Sequence, residues 1–348
     1  MAERVIVGMS GGVDSSAAVI LLKKQGYEVI GITFKFIDDF DACDAIEVAN
    51  KLGIEHHIAD YRKEFKNMVI NSFIDDYNKG ITPNPCVHCN KNVKMKFLYD
   101  QMIKYNCDYM ATGHYARNIR GKLYRSVDLK KDQTYFLSLV PQKILGKTLF
   151  PLEGLDKETV RMVARDAGLS VANKKDSTDV CFITSSFNDF MKNHIEEKSG
   201  DIVNMTSKEI IGKHHGLPFY TIGQRRGLNL GGNNKRMFVC GKDIENNILY
   251  VADSDNEEYL LSDECIIQDV NLISYHHPTF GTAKFRYLSK EMPVTIEYLE
   301  NNHVRVVYCS GAKSVTPGQT CALYLGEECI GGGIIKEVRK NGKKLWYL

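Results

Sequence analysis

Three of the ten cysteines lie in polar sequence that is typical of loops, and they are candidates for chemistry. Cys86 and Cys89 follow two prolines in TPNPCVHCNK, and Cys181 lies in KKDSTDVCFI. A thiol becomes a nucleophile or a metal ligand when it ionises to the thiolate. Because Lys91 follows and a helix is expected to begin here, we predict a lowered pKa for the Cys89 thiol. The spacing alone leaves three interpretations open: part of a metal site, a redox pair, or one reactive thiol beside an inert one.

A glycine-rich stretch after the first apolar run is the second candidate site. VIVGMSGGVDSSAAV passes through Ser10, Gly11 and Gly12 into a helix expected to begin near Asp14 and Ser15. Glycines let the backbone turn tightly, so that its N–H groups and the helix N-terminus can hold an anion. Neither G-x-x-x-x-G-K-[ST] nor G-x-G-x-x-G is present. This excludes a Walker loop and argues against a dinucleotide site.

The elements that must position these residues alternate between strand and helix patterns. RVIVGM, YEVIGITFKF, IEHHIAD and CDYMATGHYA are strand-like, whereas SSAAVILLKKQG and DACDAIEVANKLG are helical and end at Gly26 and Gly53. DKETVRMVARDAGL is a further helix with Asp156 as its expected N-cap. This rhythm predicts a parallel sheet with helices on both faces, and ligands bind such sheets at the carboxyl edge.

The pattern changes after about residue 196 to short strands separated by Gly and Asn turns. From about residue 263, segments such as GTAKFRYLS, MPVTIEYLE and HVRVVYCS alternate apolar and polar residues. This alternation is typical of a small antiparallel barrel. We therefore expect an α/β domain over residues 1–195, a small β-rich central domain over 196–262 and an antiparallel β-barrel over 263–348.

The composition is that of an ordinary globular protein, with 43% hydrophobic residues and a formal net charge of +2. This charge neither requires nor excludes a nucleic-acid partner. No apolar run approaches the length of a membrane span, and the first residues do not have a signal-peptide layout. We expect a cytoplasmic protein that does not bind membranes and whose cysteines are mostly reduced. Five cysteines in strand-like sequence should be buried apolar residues: Cys240, Cys265, Cys309, Cys321 and Cys329.

The order S-G-G-x-D-S-S resembles the PP-loop of ATP pyrophosphatases, whose fold is of the adenine nucleotide alpha hydrolase type. Those enzymes split ATP to AMP and pyrophosphate while they adenylate a carbonyl-type oxygen. The resemblance implies that Asp14 lies near Mg²⁺ and the phosphates, and that the backbone around Phe34 and Gly113 frames the adenine. It also implies a phosphate-binding loop made of Gly8, Met9, Ser10, Gly11, Gly12, Val13, Asp14 and Ser15.

Further stretches resemble the tRNA-specific 2-thiouridylase family of MnmA type over nearly the whole chain. They are GITPNPCVHCNKNVKMKFL, ATGHYAR, KDQTYFL, KKDSTDVCFI, LPFYTIGQRRGL, ENNILYVA, TPGQ and ECIGGGII. The resemblance implies a tRNA-uridine 2-sulfurtransferase that adenylates the C2 oxygen of the wobble uridine, U34, in tRNAs for Lys, Glu and Gln. It also implies that Cys89 is the nucleophile, that Cys181 carries the persulfide, and that the two form a transient disulfide. The sulfur donor would be a cysteine desulfurase or a sulfur-relay protein.

The same resemblance implies residues that contact tRNA. Three lie beside the target base, four near its surroundings, and three reach the RNA from the C-terminal barrel. In chain order they are Asn84, Pro85, Cys86, His114, Lys131, Asp132, Gln133, Arg286, Tyr287 and Gln319.

Cys86 departs from the family pattern, because the family has an acidic residue at this position. The change puts the acidic contact with the base in doubt and creates C-x-x-C. A zinc site would need more ligands than this pair and His88. Some related tRNA thiolases use a three-cysteine cluster, so an alternative is a [4Fe-4S] cluster on Cys86, Cys89 and Cys181 that carries the sulfur. Cys43 has no assigned chemistry, and we expect a structural role for it.

Two other functions stay open from the sequence. One is a PP-loop ligase that acts on a small molecule, which would have no use for Cys89 or Cys181. The other is a non-catalytic protein that binds RNA or stores metal, which the intact S-G-G-x-D-S-S loop disfavours.

Overall fold

The computed structural model describes residues 2–175, 180–230, 235–274 and 277–348, with the backbone alone at 309 and 310. In chain order its helices are α1 (Val13–Lys24), α2 (Cys43–Leu52), α3 (Arg62–Phe65), α4 (Asn71–Asn78), α5 (Pro85–Cys89), α6 (Met95–Lys104), α7 (Thr134–Leu137), α8 (Gln142–Leu145), α9 (Lys157–Asp166) and α10 (Phe187–His194). π-helical turns join α3 to α4 and α5 to α6, over Lys66–Ile70 and Asn90–Lys94. Short 3₁₀ turns cover Ser170–Asn173, Leu217–Phe219 and Glu257–Leu260.

The strands form three sheets in the described part of the chain. The first nine are β1 (Arg4–Gly8), β2 (Glu28–Lys35), β3 (Glu55–Asp60), β4 (Tyr109–Ala111), β5 (Ala116–Ile119), β6 (Lys122–Arg125), β7 (Thr148–Leu149), β8 (Gly200–Asn204) and β9 (Ile210–His214). They are followed by β10 (Met237–Asp243), β11 (Ile248–Asp253), β12 (Leu261–Leu272), β13 (Phe280–Lys284), β14 (Met292–Leu299), β15 (His303–Lys313), β16 (Thr320–Leu325), β17 (Glu328–Lys340) and β18 (Lys343–Lys344).

The first sheet is parallel, in the order β3-β2-β1-β4-β7, which confirms the predicted α/β architecture. Apolar residues of β1 and β2 are buried on both faces, as expected for a sheet covered by helices. Gly53 ends α2 in the left-handed conformation at φ 60°. The Asp156 carboxylate accepts a hydrogen bond from the Thr159 N–H at 2.8 Å, so it caps α9 as predicted.

The second sheet has the order β10-β11-β8-β9 and is mixed, since β8 and β11 run parallel. The third contains the expected antiparallel barrel, in which β12, β15, β14, β13, β16 and β17 pair in turn and β17 pairs back with β12. The hairpin of β5 and β6 lies within residues 1–195, the range expected for the α/β domain. Its strand β6 also pairs with β17, through Cys329 opposite Leu123 and Glu328 opposite Tyr124.

Burial of the cysteines follows the prediction where the side chains are described. Cys240, Cys265, Cys321 and Cys329 are buried, and the side chain of Cys309 lies outside the described residues. Cys43 is exposed, and its hydrogen bond with Asp41 raises the pKa of its thiol. Its structural role stays a prediction. Within the described ranges, no helix is long and apolar enough to cross a membrane.

Candidate functional site

The glycine-rich loop joins β1 to α1 at the carboxyl edge of the first sheet, where the strand order reverses between β1 and β4. Gly11 takes a positive φ of 72°, a conformation that favours glycine. Gly12 precedes α1 and offers no side-chain cap, so the first N–H groups of this 12-residue helix are available to an anion. The Ser15 hydroxyl accepts a hydrogen bond from the Ser10 N–H at 3.2 Å and fixes the turn. The loop therefore has the backbone geometry of a phosphate site.

Asp14 lies in a network that the sequence did not indicate. The Lys157 ammonium donates to both Asp14 carboxylate oxygens, at 2.7 and 2.9 Å, and the Tyr115 hydroxyl donates to one of them at 2.9 Å. The Gln133 side-chain oxygen in turn accepts a hydrogen bond from the Tyr115 N–H at 3.0 Å. Lys157 lies at the start of α9 and places a positive charge beside the loop.

Gly113 follows β4 and lies against the glycine-rich loop, and Phe34 lies near the end of β2. A Cβ atom on Gly113 would lie 2.7 Å from backbone atoms of Asp14 and Ser15, so the strand end is in close contact with the loop. The Phe34 ring packs against Phe36 with their centroids 5.5 Å apart. The proximity of Gly113 to the loop is consistent with an adenine frame, and the contact with adenine itself stays a prediction.

The C-x-x-C pair lies on α5, whose start is determined by local sequence. The Asn84 side chain accepts a hydrogen bond from the Val87 N–H at 3.2 Å, and Pro85 occupies the first helical position. His88 lies on the same helix, with its Nε2 2.8 Å from the Met68 carbonyl. Helix α5 continues through the π-helical turn into α6, so Cys89 lies inside a long helix rather than at its start.

The three candidate thiols are brought together although Cys181 is distant in sequence. Burial raises the pKa of the Cys86 thiol, and Cys181 raises it further against the opposing effect of Lys94. The predicted low pKa of Cys89 is wrong. Burial of this thiol among apolar side chains raises its pKa to about 11, and Lys94 rather than Lys91 opposes the rise. Cys181 itself is exposed, so the cluster is open to solvent on one side.

His114 lies near Lys94, and burial keeps its imidazole neutral. Burial lowers the pKa of His114 to about 3, and the charge of Lys94 lowers it further. The Nδ1 atom of His114 lies 2.8 Å from the Thr112 hydroxyl. At neutral pH this imidazole can therefore donate or accept a hydrogen bond but adds no positive charge.

The segment that contains Lys131, Asp132 and Gln133 continues into α7, which joins several parts of the site. The Tyr135 hydroxyl donates to the Thr320 carbonyl at 3.0 Å and is also hydrogen-bonded to Asn84. Asp132 is buried, and it accepts hydrogen bonds from the Ser126 N–H and the Thr134 hydroxyl at 3.0 and 2.7 Å. Its present contacts are thus structural, and its contact with RNA stays a prediction.

The candidate tRNA residues of the barrel lie against the first domain. The Gln319 side chain donates to the Thr82 carbonyl at 2.9 Å and so holds the segment before α5. The Arg286 guanidinium donates to the Thr316 hydroxyl at 2.9 Å, while its buried Nε has no hydrogen-bond partner in the part of the chain that is described. The Tyr287 ring packs on Phe136, with centroids 4.4 Å apart. These side chains converge on α5 and α7.

A cleft of about 610 Å³ lies behind α5, between the first domain, the second sheet and the barrel. Asn84, Pro85 and His88 form one wall, and Lys242 forms part of another. Burial lowers the pKa of Lys242 to about 8. The cleft adjoins the face of α5 that carries His88.

Sequence reasoning missed Lys157 and Tyr115, and it counted Lys94 among the local positive charges without placing it beside the thiols. Each is an ordinary residue in a helix or loop pattern, and only the tertiary fold brings it to Asp14 or to the thiols. Of the residues that the structure describes, no group of three or more His, Cys, Asp or Glu side chains is arranged to hold a metal ion. Asp176, Ser177, Thr178 and Asp179 of KKDSTDVCFI lie outside the described residues.

Three family models match consecutive parts of the chain. The model described as tRNA methyl transferase HUP domain matches residues 3–185, and the tRNA methyl transferase PRC-barrel domain matches residues 188–253. The Aminomethyltransferase beta-barrel domain matches residues 262–335. The matches cover the three-sheet organisation described above.

Curated proteins match along the whole length. The chain is 44% identical to the tRNA-specific 2-thiouridylase MnmA 2 of Geobacillus kaustophilus, over 99% of this chain and 98% of the relative. It is 45% identical to the tRNA-specific 2-thiouridylase MnmA of Bacillus cereus, with the same coverage. A solved 4-thiouridine synthetase–RNA complex with bound ATP aligns over 52% of this chain and 45% of its own, at 16% identity and a TM-score of 0.35. The two thiouridylases therefore share all three regions of the chain.

Proposed function

Because the chain belongs to the tRNA-specific 2-thiouridylase (MnmA) family, we propose that it catalyses ATP-dependent 2-thiolation of the wobble uridine, U34, in tRNA for Lys, Glu and Gln. The products are 2-thiouridine, AMP and pyrophosphate. The observation that carries the proposal is that Cys181 lies near enough to Cys89 to add to the rise in the pKa of the Cys89 thiol, although the two are far apart in sequence. A small-molecule ligase would not need this pair.

The first step is adenylation of the C2 oxygen of uridine. The N–H groups of the glycine-rich loop and the start of α1 bind the ATP phosphates, and Lys157 adds positive charge. Asp14 is the carboxylate of the loop suited to Mg²⁺, which when bound would neutralise phosphate charge. To bind the ion, the Asp14 carboxylate must exchange its contacts with Lys157 and Tyr115. The uridine oxygen attacks the α-phosphorus of ATP, and pyrophosphate leaves.

The second step transfers sulfur from a persulfide on Cys181. The terminal sulfur bonds to C2 of uridine, and AMP departs with the former C2 oxygen. The Cys89 thiolate then bonds to the Cys181 sulfur while the bond from Cys181 to the transferred sulfur breaks. Sulfur stays on C2, and the Cys89–Cys181 disulfide requires two electrons from an external thiol before the next turnover.

The exposure of Cys181 suits delivery of sulfur by another protein. A persulfide donor, either a cysteine desulfurase or a relay protein, needs direct access to this thiol, and Cys181 is open to solvent.

The proposed tRNA contacts are those that the family resemblance implies. They are Asn84, Pro85, Cys86, His114, Lys131, Asp132, Gln133, Arg286, Tyr287 and Gln319. We expect the reaction in the cytoplasm, because these free thiols need a reducing compartment.

A second version of the same reaction would use a [4Fe-4S] cluster as the sulfur carrier. Cys86, Cys89 and Cys181 are the residues that would have to hold it, but among the described residues they do not form a group arranged to bind a metal, so their present arrangement does not fit a cluster. When bound, the cluster would supply a metal site for sulfur. Anaerobic purification, iron and sulfide analysis and a visible spectrum test this version. A colourless, iron-free protein that still thiolates tRNA would refute it.

The proposed function is tested by nucleoside mass spectrometry of tRNA after reaction with ATP, a persulfide donor and the protein. Cys181→Ser should form no 2-thiouridine yet retain tRNA-dependent release of pyrophosphate, because adenylation precedes sulfur transfer. Cys43→Ser is the control, since Cys43 is also exposed but lies on α2. Unchanged thiolation by Cys181→Ser would contradict the mechanism. Absence of pyrophosphate release by the wild type would instead favour a non-catalytic RNA-binding protein.

A further inference from the structure

The cleft behind α5 has a buried lysine in its wall. Lys242 lies on β10 and is 8% exposed, and its ammonium donates a hydrogen bond of 3.4 Å to the Gly80 carbonyl oxygen of the first domain. Both residues line the cleft, so the ammonium lies at the cleft wall. A lysine ammonium has three donors, and this long hydrogen bond uses one of them. In the described ranges, no carboxylate lies within ion-pair distance of Lys242.

The charge of Lys242 is not balanced inside the cleft. A buried ammonium without a counter-charge is unfavourable, because it has lost its hydration. Lys79 and Lys336 also line the cleft, but they are exposed, and Asp76 and Asp269 line it as well. The two aspartates offset the two exposed lysines, which leaves one positive charge at Lys242. A single negative charge in the cleft would compensate it, whereas a polyanion would also meet the aspartates.

The remaining walls of the cleft are largely apolar. Val69 and Phe73 of the first domain line it, together with Ile222 and with Ile335 of the barrel, and all four are buried. Apolar walls favour the apolar part of a ligand, because its contact with water is lost on binding. The volume of about 610 Å³ lies in the range of sites for small molecules.

We propose that this cleft binds a small amphipathic anion, with one singly charged head group such as a carboxylate on Lys242 and an apolar body against Val69, Phe73 and Ile222. The site is separate from the chemistry described above. Neither Cys89 nor any residue of the glycine-rich loop lines the cleft. The inference therefore does not depend on the proposed thiolation.

The test uses two fluorescent probes with the full-length protein. Anilinonaphthalene sulfonate has one anionic group, and phenylnaphthylamine has the same rings without it. We expect the sulfonate to bind the wild type at one site and to bind Lys242→Met about tenfold or more weakly, the effect of one charge-assisted hydrogen bond. The neutral probe should bind both proteins within about twofold. Lys213→Met is the matched control and should bind the sulfonate like the wild type, because Lys213 is on β9 of the same sheet, outside the cleft.

Four outcomes would overturn the inference. Equal affinity of the wild type and Lys242→Met for the sulfonate would refute the anion site. An equal loss for the neutral probe would refute it, because the substitution would then have changed the cleft itself. The same loss in Lys213→Met would show that any surface cation suffices. Displacement of the sulfonate by saturating tRNA would instead make the cleft part of an RNA surface. All four are binding measurements, so failure of the proposed function, seen as absence of 2-thiouridine, is a separate result.

Discussion

Replacement of Gly113 by alanine tests the contact between the end of β4 and the glycine-rich loop. The added Cβ would lie 2.7 Å from the Asp14 carbonyl carbon and the Ser15 nitrogen. Ordinary contacts at such a Cβ begin at 3.4 Å, so the two backbone segments must separate by about 0.7 Å. Both neighbours are backbone atoms, and no side chain can rotate away to relieve the overlap. We therefore expect the loop to shift and ATP binding to weaken.

The size of the effect follows from the cost of overpacking. Forcing an extra carbon into a packed site costs about 1–3 kcal/mol, which corresponds to roughly 5- to 150-fold weaker binding if it falls on the ATP-binding conformation. The assay is the KM for ATP in tRNA-dependent pyrophosphate release, together with equilibrium binding of ATP. Thermal stability should fall less than ATP affinity, because the overlap is local to the loop.

Gly154→Ala is the matched control for this substitution. A Cβ on Gly154 meets no atom within 4 Å, so its alanine variant should bind ATP like the wild type. If Gly113→Ala also retains the wild-type KM and affinity for ATP, the loop is not held by this contact and the reasoning is wrong. A loss of ATP affinity in both variants would point to a general effect of alanine and would equally contradict it.

Three further changes have defined outcomes. Burial lowers the pKa of Lys242 in the folded protein to about 8, from the ordinary value of 10.5. Between these two pH values the unfolded chain binds more protons than the folded chain, so the free energy of unfolding rises with pH. Lys242→Met should therefore be more stable than the wild type by up to about 3 kcal/mol at pH 7 in urea denaturation, and an unchanged or lower stability would contradict this. With a pKa of about 11, Cys89 should react with iodoacetamide more slowly than Cys181 at pH 7. The alkylation rate of Cys89 itself should increase about tenfold for each pH unit up to pH 10. Equal rates of peptide alkylation at pH 7 would argue against its burial. Asn84→Ala removes the cap bonded to the Val87 N–H and should cost about 1 kcal/mol in urea, whereas Asn84→Ser should retain most of it.

The elements of the first sheet are predictable because their signals are local. Apolar runs correspond to β1 and β2, glycine stops end α1 and α2, and Asp156 caps α9 where the sequence indicated. The pairing of β6 with β17 depends on contacts between segments about 200 residues apart, for which no local pattern exists. The alternation of apolar and polar residues indicates which segments form strands, but it does not indicate which strand pairs with an edge strand.

The residues of the candidate site can likewise be predicted only in part from the sequence. The loop and the three thiols are recognisable as motifs, but the pKa of Cys89 depends on surroundings that the motif does not contain. Lys91 is closer in sequence, yet the π-helical turn brings Lys94 to the thiol instead. Lys157 approaches Asp14 only because α9 packs beside α1. A charge next to a motif in sequence is therefore poor evidence of a charge next to it in space.

The pairing of β6 with β17 also limits how the protein can be divided. A fragment that ends before the barrel would leave β6 with unpaired N–H and C=O groups and would uncover Leu123, which is fully buried in the whole chain. Unprotected strand edges of this kind promote association with other chains. Exchange of barrels between relatives would have to preserve the match of Leu123 with Cys329 and of Tyr124 with Glu328. We therefore expect the α/β portion to fold poorly when it is expressed without the barrel.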